Sequence, residues 1–128
     1  MMMKNPRETY LASTVSTASP AQLLVMLCER LCLDLQRASA ALGEGNLGEA
    51  HAPLLHAQDI VLELHASLRP EAWSGGPALA SLYDYLHREL VRANVHKDRA
   101  VTDECLGLAS TLRDTWREAA LSLVAASA

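Results

Sequence analysis

The stretch SPAQLLVMLCERLCLDLQRASAAL, Ser19 to Leu42, decides the fold. Its apolar side chains recur at Leu24, Cys28, Leu31, Leu35, Ala38 and Leu42, and these alternating steps of four and three put them on one stripe of an α-helix. Ser19 offers a hydroxyl to the free amides of the first turn. Pro20 suits the first helical position, where no backbone donor is needed, and Gly43 permits a left-handed stop. The opposite face carries Gln22, Glu29, Gln36 and Arg37. It also carries Met26 and Leu33, one heptad apart, two apolar residues that this projection places in water.

Working outward, the same pattern returns three times. After the connection GEGN, Asn46 and Glu49 have the spacing of a capping box with Asn in the Ser/Thr place. The second helix then runs to about Leu68, with Leu47, Ala50, Leu54, Ala57, Val61, Leu64 and Leu68 as its stripe. Pro53 sits inside it; an interior proline costs about 3 kcal/mol and bends a helix, so a bend is expected there. RPEAWSGGP is the longest break, and Pro77 opens a third helix presenting Leu79, Leu82, Tyr83, Leu86, Leu90 and Ala93. Asp98 is placed to cap a fourth helix, which buries Val101, Cys105, Leu108, Leu112, Trp116, Ala119 and Leu123 and frays into AASA. No stretch alternates with the period of a strand. Four amphipathic helices of about 17 to 26 residues, roughly 25 to 39 Å long, are comparable enough to pack side by side. With short connections they make an all-α, antiparallel four-helix bundle over residues 19–128. Residues 1–18 are rich in Ser, Thr and Ala, with a short patch at Tyr10, Leu11 and Val15, and are expected to form a mobile, partly helical N-terminal arm.

Composition narrows the function. A chain of 128 residues makes one domain. Half of it is hydrophobic but only 4% is aromatic, with no Phe, so the core is built of Leu, Ala and Val, which favours helices. Eleven basic against 15 acidic residues, a net charge of −4, leave nucleic acid no broad cationic surface. No run approaches the ~18 apolar residues of a spanning helix, which argues against stable membrane insertion. MMMKNPRETY is too polar for a signal peptide, so the expected location is cytoplasmic. Cys28 and Cys32 lie one turn apart and Cys105 can pair with only one of them, so all three read as buried, reduced thiols.

Catalytic patterns are missing. A di-iron bundle needs ExxH pairs that do not occur here; Asp84 and His87 are one such carboxylate and imidazole pair, too few for a metal. The three cysteines fall short of the four ligands zinc usually takes. A phosphotransfer domain needs an exposed, reactive His. His56, on the polar side of the second helix, is the candidate, but its neighbours HAQDIVL lack the Lys and Gly expected beside it, and it reads as a solvated side chain. There is no glycine-rich phosphate loop or nucleophile elbow. The chain is expected to bind rather than catalyse, without metal or other cofactor.

The segments YLASTVSTASPAQLLVML (10–27), AQDIVLEL (57–64), LYDYLHRELVRANVHKD (82–98) and LRDTWREA (112–119), in that order, resemble the flagellin-specific export chaperones, the FliS family. The resemblance implies a small helical bundle that binds the disordered C-terminal segment of flagellin in the cytosol, blocks premature filament assembly and helps deliver the subunit to the flagellar type III export gate. Three features depart from the family's pattern: the Gly-Gly pair is close to LYDY, Pro53 interrupts the second helix, and Phe is absent.

The physical requirement agrees. A disordered segment must offset its own ordering entropy, so its host has to offer long apolar grooves on exposed helix faces. Met26 and Leu33 suit a groove floor. Tyr85, on the flank of the third helix near Arg92, can rest its ring on apolar surface and hydrogen-bond at the rim. Tyr10 and Leu11 have no core of their own to enter, so they serve as a latch over a groove or as a contact for an export component. The free chain is expected to be a monomer or a weak homodimer. The competing reading is a helical adaptor or histidine phosphotransfer domain that shares only the bundle and would use His56.

Overall fold

A computed structural model describes residues 19–127, with side-chain surroundings through residue 122. Four α-helices follow one another: α1 Pro20–Gly43, α2 Leu47–Ser67, α3 Gly76–His96 and α4 Arg99–Ser127, with a 3-10 turn at Pro70–Ala72 between α2 and α3. Each helix packs on its chain neighbours, and α4 returns to α1 to close a four-sided ring. Cross-helix pairs give the directions. From Ser39 with Asp103 through Cys32 with Ser110 to Glu29 with Arg117, α1 descends as α4 ascends. His51 with Asn94 and His65 with Tyr83 show the same opposition between α2 and α3. The all-α, antiparallel bundle read from the four stripes is therefore the fold.

The core is Leu31, Leu35, Leu54, Val61, Leu64, Leu86 and Leu90 around the single large aromatic Tyr83, with Cys28, Cys32 and Cys105 as small apolar fillers. Burial pushes the Cys28 and Cys105 thiols up to about 12 and raises Cys32 as well. Leu47, placed on the second stripe, is instead half exposed, because it is the first residue of α2 and precedes the buried stretch that begins at Ala50. Ile60, beside that stripe, is buried.

The helix ends differ in detail from expectation. The reciprocal capping box forms at Ser19, whose hydroxyl accepts from the Gln22 amide while the Gln22 side chain accepts from the Ser19 amide. Asn46 makes no such bond to α2; its amide group donates to Glu44 at 3.4 Å. Gly43 stays helical, and the left-handed turn falls on Gly45, at φ 78°. The Arg99 guanidinium lies where a Cβ on residue 43 would stand, 2.5 Å away, so glycine there makes room for a cross-helix contact. Asp98 caps α4 through its carboxylate and the Val101 amide, 3.2 Å apart. The chain is continuously helical through Pro53, and α4 continues into the AASA stretch to Ser127.

Candidate functional site: an apolar groove at one end of the bundle

The start of α1 and the end of α2 border an open groove of about 780 Å³. Pro20, Leu23, Leu24, Met26 and Leu27 form the α1 wall. Glu63, Leu64, Ser67, Leu68 and Arg69 form the α2 wall, Ala72 and Trp73 of the connection close one side, and Tyr83 and Trp116 make the floor. The volume is that of a small-ligand site, and among the described residues its lining carries two charged side chains, Glu63 and Arg69. Neither has an ion-pair partner among the described residues. Among the described residues the lining holds one carboxylate, Glu63, and is otherwise mostly apolar, a surface suited to excluding water from an apolar segment.

Local sequence explains the shape. Pro20 and the Ser19 cap start α1 at the groove's edge. The α2 backbone turns extended at Leu68, φ −77° and ψ 134°, which leaves that leucine and Arg69 on the rim. Burial pushes the Tyr83 phenol up to about 12, so this part of the floor is a neutral, buried ring.

Of the residues proposed from sequence, Met26 lines this groove. It is half-buried rather than exposed, in a pocket it shares with the end of α2 and the connection. Leu33 is also half-buried rather than in water, and it lies outside the groove's lining. Tyr85 is exposed on α3, away from the groove, and the neighbouring Arg92 is paired with Glu89 at 2.6 Å. Tyr10 and Leu11 lie outside the described residues. Sequence reasoning passed over Trp73, 51% exposed on the wall, and Leu23. A large aromatic in a proline- and glycine-rich break was the available signal for the first. Leu55 and Leu62, one heptad apart on α2, and Val91 and Val95 on α3 are further exposed apolar residues.

His56 is not simply solvated: its Nδ1 bonds the buried carboxylate of Asp34 on α1, which also faces Arg30 at 3.4 Å. Among the described residues no three His, Cys, Asp or Glu side chains converge as metal ligands would.

A family model for the flagellar protein FliS matches residues 3–122. The chain belongs to the FliS family. It is 30% identical to the flagellar secretion chaperone FliS of Bacillus subtilis, over 93% of this chain and 89% of that protein. The FliS of Salmonella typhimurium is 35% identical, over 83% and 80%, and that of Escherichia coli 32%, over 86% and 82%. FliS proteins are secretion chaperones of the flagellum and not enzymes, which leaves the phosphotransfer reading of His56 without support.

Proposed function

We propose that this chain is a cytoplasmic export chaperone that holds the disordered C-terminal segment of flagellin in the groove, keeps it from polymerising prematurely and assists its delivery to the flagellar type III export gate. The observation that carries the reading is the open apolar groove between α1 and α2, in a member of a flagellar chaperone family. A partner that is disordered when free gains affinity only where its apolar side chains are desolvated on a preformed surface. Leu24, Met26, Leu27, Leu64 and Leu68 offer such a surface, and Tyr83 supplies a rigid floor. No helix among the described residues is long and apolar enough to cross a membrane. Residues 1–18 serve as a weak latch: Tyr10 and Leu11 cover the groove in the free protein and leave it when flagellin binds, which limits self-association of the apolar surface.

The test is calorimetric titration of a peptide from the C-terminal segment of flagellin at low and high salt. Binding through apolar burial changes by less than about tenfold, because surface charge pairs are screened beyond roughly 8 Å already at physiological ionic strength. A hundredfold loss at high salt, or no binding at all, contradicts the mechanism.

A further inference from the structure

Trp73 stands out in the groove. It is the bulkiest apolar side chain of the wall, yet it is 51% exposed, and it sits on a connection rather than on a helix. Two glycines set its position. A Cβ built on Gly75 would lie 2.0 to 2.7 Å from three carbons of the indole ring, so the ring rests directly on the Gly75 backbone. Gly75 has φ −83° and ψ −7°, a conformation open to any residue; glycine is needed there for the ring and not for the turn. A Cβ on the buried Gly76 would meet the Pro70 carbonyl oxygen at 2.1 Å, which fixes the connection against the start of α3. The indole thus rests on the Gly75 backbone at the edge of the groove, with about half its surface open to solvent. The apolar contact area and restricted side-chain freedom of such a residue are those of an interface hot spot.

We infer that Trp73 is the anchor of this groove: its ring closes over an aliphatic side chain of the bound flagellin segment, and Gly75 is the seat that presents it. The inference rests on the functional reading above and deepens it. Glu63 and Arg69, the charges on the α2 wall, lack ion-pair partners among the described residues, so the segment that fits best carries a basic residue toward the first and an acidic one toward the second, on either side of its aliphatic anchor. Because the ring is already seated, little side-chain freedom remains to be lost when the segment arrives.

Four chains, the parent, Trp73→Ala, Trp73→Phe and Gly75→Ala, are titrated by calorimetry with the same synthetic flagellin C-terminal peptide, and each is melted to verify its fold. Trp73→Ala weakens binding about thirtyfold, the ~2 kcal/mol of a hot spot. Trp73→Phe restores most of the affinity. Gly75→Ala falls between them, although it touches no partner, because its methyl group displaces the ring. In a Trp116→Phe chain that calorimetry shows to bind the peptide, Trp73 is the sole tryptophan, and its fluorescence shifts to the blue on peptide addition. If the parent binds and Trp73→Ala binds equally well, or if the emission stays put, the anchor is wrong and the chaperone reading stands. If the parent does not bind the peptide, both fall.

Discussion

Replacing His56 by alanine tests the one buried carboxylate among the described residues. The Asp34 side chain is 3% exposed and reaches His56 Nδ1 across the α1–α2 seam, with Arg30 3.4 Å away as its other partner. Removing one partner of a buried acceptor typically costs 1–3 kcal/mol, and more when the acceptor is charged. His56 is itself 47% exposed, so water replaces part of what it supplies, and we take ~2 kcal/mol. At about 2.1 cal/mol/K per residue, 128 residues give an unfolding entropy near 0.27 kcal/mol/K. The melting temperature of His56→Ala should therefore drop by about 7 °C. Asp34→Leu removes the charge together with its need for partners and should change stability far less. In the double variant, His56→Ala should cost almost nothing further, a non-additivity that a thermodynamic cycle reads directly. Calorimetric or circular dichroism melts of the four proteins decide the matter. If His56→Ala melts within a degree of the parent, or the two substitutions simply add, the pair does not hold the seam.

Other expectations follow from features at some distance from it. Deleting residues 1–18 should raise affinity for the flagellin peptide by up to about tenfold, the equivalent of a 1.4 kcal/mol latch, or increase self-association by light scattering; no change in either removes the latch. Burial holds the Cys28 and Cys105 thiols at about 12 against an ordinary 9.0, so above pH 9 the unfolded chain loses protons that the folded chain keeps. Stability should then fall by about 1.4 kcal/mol per pH unit for each thiol, and a urea midpoint unchanged from pH 8 to 10.5 refutes it. Gly76→Ala should destabilise the whole chain, because the clashing atom is a backbone carbonyl, while Gly75→Ala melts close to the parent; equal melts would show that the connection tolerates both.

Periodicity made the bundle legible. The stripe from Leu24 to Leu42 and its three successors state which faces are buried, and helices obey that requirement whatever their neighbours are. The groove was only half legible. Met26 showed as an apolar residue out of place on α1, but its role depends on where the end of α2 turns aside, and no residue of α1 encodes that. Trp73 was harder to place for a related reason: it stands out as a large aromatic in a break rich in proline and glycine, but such a break has no period to say which way its side chains face. Asp34 lies on the flank of the α1 stripe, where a carboxylate reads as solvated until His56 arrives from α2. The capping box illustrates competition among similar signals. Ser19 with Gln22 and Asn46 with Glu49 both have the spacing, and only the first adopts the bond.

The ring of helices is not equally thick all round. The α3–α4 seam is the thinnest of its four sides, while α1 is bound firmly to both α2 and α4. Tyr83 and Trp116, the two halves of the groove floor, stand on opposite sides of that weak seam. A breathing motion of the bundle therefore has its softest coordinate directly beneath the groove. A bulkier segment can be admitted by letting α4 swing slightly away from α3, hinged on its firm contact with α1, without disturbing the walls. Amide protons along the α3-facing side of α4 would then exchange ahead of those in α1, and any compliance of the groove would reside in the floor rather than in the rim.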